Sequence, residues 1–264
     1  MNKREYAEQV ARLVNGEVKE TEKPNGIVLT GVIRKDGEIS PVFYVEQFIE
    51  EGKEPEEMAD FVMNYKADFS FDVNTITDYT DVKPMLRARL YNESTVAEVK
   101  RSASEYGFND LIIIPYIEIA DNASIKVTDA LVNGWKVTAD QVLDDAIANA
   151  KKDICISTMF ETLMGIMPKA IDEFDFLNAD DSVPMYVITN KRKSFGAIAG
   201  ALGKAKLSIF FDKGYVILPS SVHEVIAVPN NVHDKESMVA MVREINATQV
   251  APQEQLSNNI YTFA

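Results

Sequence analysis

Ser220, Ser221, His223 and Glu224 fall within five consecutive positions, and they are the residue types of a hydrolytic site. In an extended segment Ser221 and His223 project to the same side, so a hydroxyl can meet an imidazole. A serine nucleophile also needs an acid to orient the base and donors to hold the oxyanion. Glu224 projects to the opposite side, and the chain has no Gly-x-Ser-x-Gly elbow to expose a nucleophile. The same run suits a hairpin in which Pro219 sets the turn, the serines satisfy its backbone and His223 begins the next strand. The hairpin is the preferred reading; a Ser/His hydrolase using Ser221 and His223 stands as the alternative.

Arg243, Asn246, Thr248 and Gln249 crowd the exit of a helix that closes the chain's last third. They offer several hydrogen-bonding groups, and exposed polar loops on a rigid scaffold often carry function. With Ser220, Ser221, His223 and Glu224 they make the candidate recognition surface, provided the two strings lie together. His223 and His233, with Glu224 and Asp234 beside them, lack the spacing of a zinc site. The single cysteine, Cys155, reads as a small buried apolar residue. There is no phosphate-binding Walker loop and no dinucleotide fingerprint. No metal and no cofactor are expected.

These residues need elements to hold them. Tyr6, Val10, Leu13 and Val14 share a helical face, and Asn15-Gly16 ends that helix. A meander follows: strands over 17–22, 27–34 and 39–45, with turns at Pro24-Asn25-Gly26 and Asp36-Gly37. Pro55 opens a helix with a stripe of Met58, Phe61, Val62 and Tyr65. Pro84 to Leu90 reads as a short helix entering a strand, and Thr95 to Tyr106 as a helix. Leu111 to Ile119 is a strand whose Pro115 points to an edge or a bulge. Ser124 to Val132 is a further strand. Thr138 and Gln141 have capping-box spacing before a helix burying Val142, Ala146, Ile147 and Ala150, against which Trp135 packs. Ile154 to Met167 reads as core.

In the last third, Met185 to Thr189 is a strand, Asn190 to Lys193 a basic turn and Phe195 to Leu202 a helix. Leu207 to Phe211 and Tyr215 to Leu218 form a hairpin across Asp212-Lys213-Gly214, and Val225 to Val228 is the next strand. Asp234 caps a helix with the stripe Met238, Met241, Val242 and Ile245, and 259–263 is a final strand. Hairpins without regular β-α-β alternation give an α+β fold of mainly antiparallel sheets with helices on one side. Two halves are expected, 1–181 and 182–264, divided by an acidic stretch that holds Asp172, Glu173, Asp175, Asp180 and Asp181.

The 264 residues carry 27 basic and 41 acidic side chains, a net charge of −14. Such a surface repels phosphate, so direct nucleic-acid binding is disfavoured. The acids of 49–82 and 170–181 raise another alternative, an acidic decoy for a basic nucleic-acid-binding protein. One cysteine fits a reducing compartment, the charged N-terminus is no signal peptide, and no apolar run approaches the roughly 20 residues of a membrane span. A cytoplasmic location is expected.

Several strings carry a resemblance: PMYVITNKRKSFGA, YVILPSSVHEVIAVP, MVREINATQVAPQEQLS and the terminal IY. With NGIVLTGVIRKDGEISPVFYVEQF and NGWKVTADQVLDDAIANA, they make the chain resemble the DUF5688 family along nearly its whole length. The resemblance implies a bacterial protein, largely of gut Firmicutes, with some members on mobile elements or phages. It implies no reaction, cofactor or catalytic residue. Together these readings favour a non-enzymatic interaction protein with a protein partner, in the setting of an accessory or defence-related factor of a mobile element.

Overall fold

The computed structural model describes residues 1–23, 26–34, 41–65, 71–120, 123–166, 183–219, 221–231 and 234–264. Two compact units divide the chain, Met1–Asp78 and Tyr79–Ala264.

The first unit opens with α1 (Lys3–Val14), entered through a capping box in which Asn2 and Glu5 each accept the other's backbone N–H. Asn15 ends it in the left-handed conformation, φ 53°. Strands β1 (Glu17–Glu22), β2 (Val28–Ile33) and β3 (Val42–Tyr44) form an antiparallel meander in that order. The short α2 (Glu46–Glu50) leads to α3 (Pro55–Asn64), which has Pro55 in its first turn. Tyr6, Val10, Val14, Val32, Met58 and Val62 make the core. Leu13 and Phe61, expected inside, are both 48% exposed. Phe61 instead covers the rings of Phe43 and Phe48, with centroids 6.0 and 5.4 Å away. The Pro24-Asn25 and Asp36-Gly37 turns lie outside the described residues.

The second unit holds two sheets. After α4 (Tyr79–Val82), strands β4 (Leu86–Asn92), β5 (Arg101–Ser102), β6 (Leu111–Ala120) and β7 (Ala123–Lys126) pair antiparallel around the central β6. Pro115 therefore sits in a central strand, where an edge or bulge was expected. Its carbonyl accepts from Val127 N–H at 3.2 Å, so its missing donor faces that same side. There β5 pairs only as far as Ile113 and β7 begins at Tyr116, so the proline falls in the gap between them. The expected helix over Thr95 to Tyr106 gives way to β5 and a 3-10 turn. Ser102 Oγ accepts from Ser104 N–H, and such local bonds compete with the helical ladder. The expected strand over Ser124 to Val132 stops at Lys126. Thr128 then caps α5 (Asp129–Trp135) by accepting from Leu131 N–H.

Thr138 caps α6 (Ala139–Lys152), which buries Val142, Leu143, Ala146, Ile147 and Ala150. The second sheet takes β8 (Ile154–Thr158), then, after α7 (Met159–Ile166), β9 (Tyr186–Asn190). The helices α8 (Ile198–Leu202) and α9 (Lys204–Leu207) precede β10 (Tyr215–Leu218) and β11 (Val225–Pro229). The long α10 (Lys235–Thr248) and β12 (Tyr261–Phe263) complete the chain. The strand order is β12-β10-β11-β9-β8, all antiparallel. The pairing of β8 with β9 runs across the 181/182 boundary proposed from sequence. The expected strand over Leu207 to Phe211 is the end of α9 and a turn, with Ile209 80% exposed, so β10 pairs with β11 and β12. A short apolar run does not by itself separate strand from helix. Phe160 and Leu163 of α7, read as core, are exposed. Among the described residues no helix is long and apolar enough to cross a membrane.

Candidate functional site

Strands β10 and β11 form a hairpin, and the Ser221 to Glu224 run is its turn. Ser221 N–H donates to the Glu224 carbonyl at 3.2 Å, which closes the turn. The Ser221 hydroxyl donates to Glu224 Oε1 at 2.9 Å and accepts from His223 N–H at 3.0 Å. The hydroxyl therefore meets the backbone of His223 and a carboxylate, and the side chain is buried. The imidazole faces elsewhere: its Nδ1 accepts from Phe195 N–H at 3.1 Å. An accepting Nδ1 puts the proton of the neutral ring on Nε2, which lies 3.5 Å from Glu254 Oε1. The His223 carbonyl accepts from Gly196 N–H and Thr189 Oγ1, at 2.9 and 2.8 Å. His223 thus holds the entry to α8 by both its ring and its backbone. Ser220 lies outside the described residues.

The helix-exit group separates. The buried stripe of α10 is Met238, Val242 and Asn246; Met241 and Ile245, expected within it, are 46% and 39% exposed. Asn246 replaces a core residue because its Nδ2 donates to Ser257 O and Asn258 Oδ1, both at 2.9 Å, and Gln255 Nε2 donates back to its carbonyl at 2.7 Å. Arg243, Thr248 and Gln249 are exposed. At 3.6 residues per turn, Arg243 and Thr248 stand about 140° apart around the helix. The strap from Ala251 to Asn258 links the two strings, since Val222 N–H donates to the Glu254 carbonyl at 2.9 Å. Just beyond, Asp110 accepts from Ser257, Asn259 and Tyr261 at 2.6, 2.9 and 2.8 Å, tying the C-terminus to the start of β6. Burial alone raises the Asp110 carboxyl. The three side-chain bonds, with a backbone N–H, together outweigh this and hold it below the usual carboxylate range.

Beside the turn is a cluster that the sequence reading missed. Arg87, Arg89 and Tyr91 alternate along β4 and so share a face of the first sheet. Arg89 is only 6% exposed. Its guanidinium carbon lies 4.3 Å from the Tyr116 ring centre and 3.8 Å from that of Phe195. The Phe195 ring in turn lies 5.0 Å from the His223 ring. Among the described residues no carboxylate pairs with Arg89. Burying one ion costs several kcal/mol, and a desolvated cation–π contact returns about 2 kcal/mol. Two rings offset much of the burial without supplying a counter-charge. Burial also pushes the Tyr91 and Tyr116 phenols up, and the Arg89 charge reverses only part of this. Both tyrosines are therefore protonated donors at neutral pH. Arginine at alternate positions in an otherwise apolar strand, RARLY, was the available sequence signal.

The loop over this face is Asn190 to Gly196. Asn190 Nδ2 donates to Ser194 O, and Asn190 Oδ1 accepts from Arg192 and Ser194 N–H, at 2.7 to 3.2 Å. Arg192 reaches Glu118 at 3.2 Å and Lys191 reaches Asp153 at 3.4 Å. Lys193 and Phe195 are left-handed, φ 54° and 49°. A Cβ on Gly196 meets Thr189 Oγ1 and, at 2.8 Å, the His223 carbonyl, so only glycine fits there.

Among the described residues no three His, Cys, Asp or Glu side chains gather as a metal site, and His233 lies outside them. The acids of 170–181 also lie outside them. A family model described as a family of unknown function (DUF5688) matches residues 3–264. No curated protein and no solved structure matches the chain.

Proposed function

The chain belongs to the DUF5688 family, and we propose that its Tyr79–Ala264 unit is a non-enzymatic binding platform for a protein partner. One observation carries the reading: the groups that resemble a hydrolytic pair are bonded to other things. Ser221 donates to Glu224, and His223 Nδ1 accepts from Phe195 N–H. A nucleophile needs its base within hydrogen-bond reach, and here turn closure and loop anchoring occupy both groups. The half-buried His223 and Glu224, with exposed Arg243, Thr248 and Gln249, supply the polar groups for the partner. The half-buried free thiol of Cys155 suits a reducing interior, so we place the protein in the cytoplasm. The family setting frames it as an accessory or defence-related factor of a mobile element.

The test pairs two measurements. A fluorophosphonate probe with peptide mass mapping is expected to leave Ser221 unmodified. Quantitative pull-down from lysate is expected to recover one stoichiometric partner, with the yield falling in an Arg243→Glu/Gln249→Glu variant. Labelling of Ser221 that disappears in His223→Ala overturns the reading.

A further inference from the structure

We propose that Arg89, Tyr91 and Tyr116 form a binding point for an oxyanion, a carboxylate or phosphoryl group, roofed by Phe195 of the 190–196 loop. A guanidinium carries five N–H donors and each phenol one more. The two rings that lie against the guanidinium carbon, at 4.3 and 3.8 Å, offer its N–H groups no acceptor. Tyr91 follows it on the same face of β4, and the Tyr91 and Tyr116 rings lie 6.1 Å apart. The carboxylates on this face are ion-paired to other cations, Glu118 to Arg87 and Arg192 and Asp153 to Lys191, and neither reaches Arg89. The three groups therefore present more donors than the surrounding protein accepts, around a buried positive charge. An oxyanion supplies both the acceptors and the counter-charge, and arginine's planar fork matches its geometry.

The setting agrees with that ligand. In a chain of net charge −14, the four cations Arg87, Arg89, Lys191 and Arg192 gather here around two carboxylates, Glu118 and Asp153, which leaves a local excess of positive charge. The roof is also held in place. Phe195 sits in a left-handed conformation that side chains seldom adopt, and the His223 ring fixes its N–H. His223 is on this account a positioning residue for the roof.

The inference rests on the binding reading above, and the two fail separately. The full chain is titrated with sodium phosphate and, separately, with sodium acetate at constant ionic strength, with sodium chloride as control. Binding is followed through the Arg89 Nε–H and Phe195 amide NMR signals. The expected result is a saturable shift with an oxyanion and none with chloride; the tighter of phosphate and acetate tells a phosphoryl from a carboxylate ligand. Tyr116→Phe keeps the ring and removes one donor, and is expected to weaken binding about threefold. Arg89→Met is expected to weaken it about tenfold or more. Lys235→Gln, at the start of α10, leaves the affinity unchanged. If Arg89→Met does not fold, Tyr116→Phe and Tyr91→Phe carry the comparison. No saturable response by roughly 20 mM, or equal affinity in the wild type and the tyrosine variants, overturns the site. That outcome leaves the platform reading standing, whereas labelling of Ser221 removes it.

Discussion

Ser221 is the residue at which function and architecture are most easily confused. Its hydroxyl is buried and makes two bonds, one to Glu224 and one from His223 N–H. Ser221→Ala leaves a buried N–H and a carboxylate without that partner. We expect it to cost about 1–3 kcal/mol in urea unfolding, since an unsatisfied buried group costs about that much. Asp110 gives a pH dependence with a defined sign. Its folded pKa is depressed, so its contribution is present above the unfolded value of about 3.9 and is lost as pH falls through the folded value. Urea midpoints measured from pH 6 downward should fall more steeply in wild type than in Asp110→Asn. Equal slopes would mean that the hydrogen bonds from Ser257, Asn259 and Tyr261 do not hold the carboxylate.

At the scale of the element, α10 separates what a sequence reveals from what it hides. Its start was legible: Asp234 accepts from Ser237 N–H at 2.8 Å, as its position before an apolar stripe implied. The Thr138 cap was legible for the same reason. The inward face of α10 was not, because an asparagine occupies it. Asn246 sits inside with residues 255–258, folded back from beyond the helix, accepting from its Nδ2 and donating to its backbone carbonyl, while its buried Oδ1 accepts from none of the described residues. Met238→Ala should therefore cost about 2–5 kcal/mol, whereas Met241→Ala should stay within about 0.5 kcal/mol in the same urea series. Comparable costs at the two positions would return the helix to the stripe expected from sequence, which buries both methionines. In the 190–196 loop, Gly196→Ala should lower the melting temperature and broaden the Phe195 amide signal, because the new methyl meets the His223 carbonyl that anchors the loop. The Arg89 cluster was hidden for a related reason. Its rings come from β6 and from the loop after β9, and no local pattern records that they meet.

For the whole molecule, the α+β class and its antiparallel sheets were legible from turn residues and alternation, while the division of the chain was not. Acidic residues suggested a boundary near 181, yet β8 and β9 pair across it, and the last strand depends on Asp110. A fragment of residues 79–264 should unfold cooperatively by circular dichroism, as expected of a compact unit. A fragment of residues 182–264 loses the β8 edge and the Asp110 anchor and should show no cooperative transition. Cooperative unfolding of that shorter piece would restore the boundary at 181.

The account depends most on His223 acting as an anchor, and its ring tautomer tests that directly. Long-range proton–nitrogen NMR of the labelled full chain near neutral pH distinguishes the two ring nitrogens. A bare Nδ1 with the proton on Nε2 is predicted, because Nδ1 accepts from Phe195 N–H. A proton on Nδ1 of the neutral ring, leaving Nε2 free to take one from a hydroxyl, would contradict it.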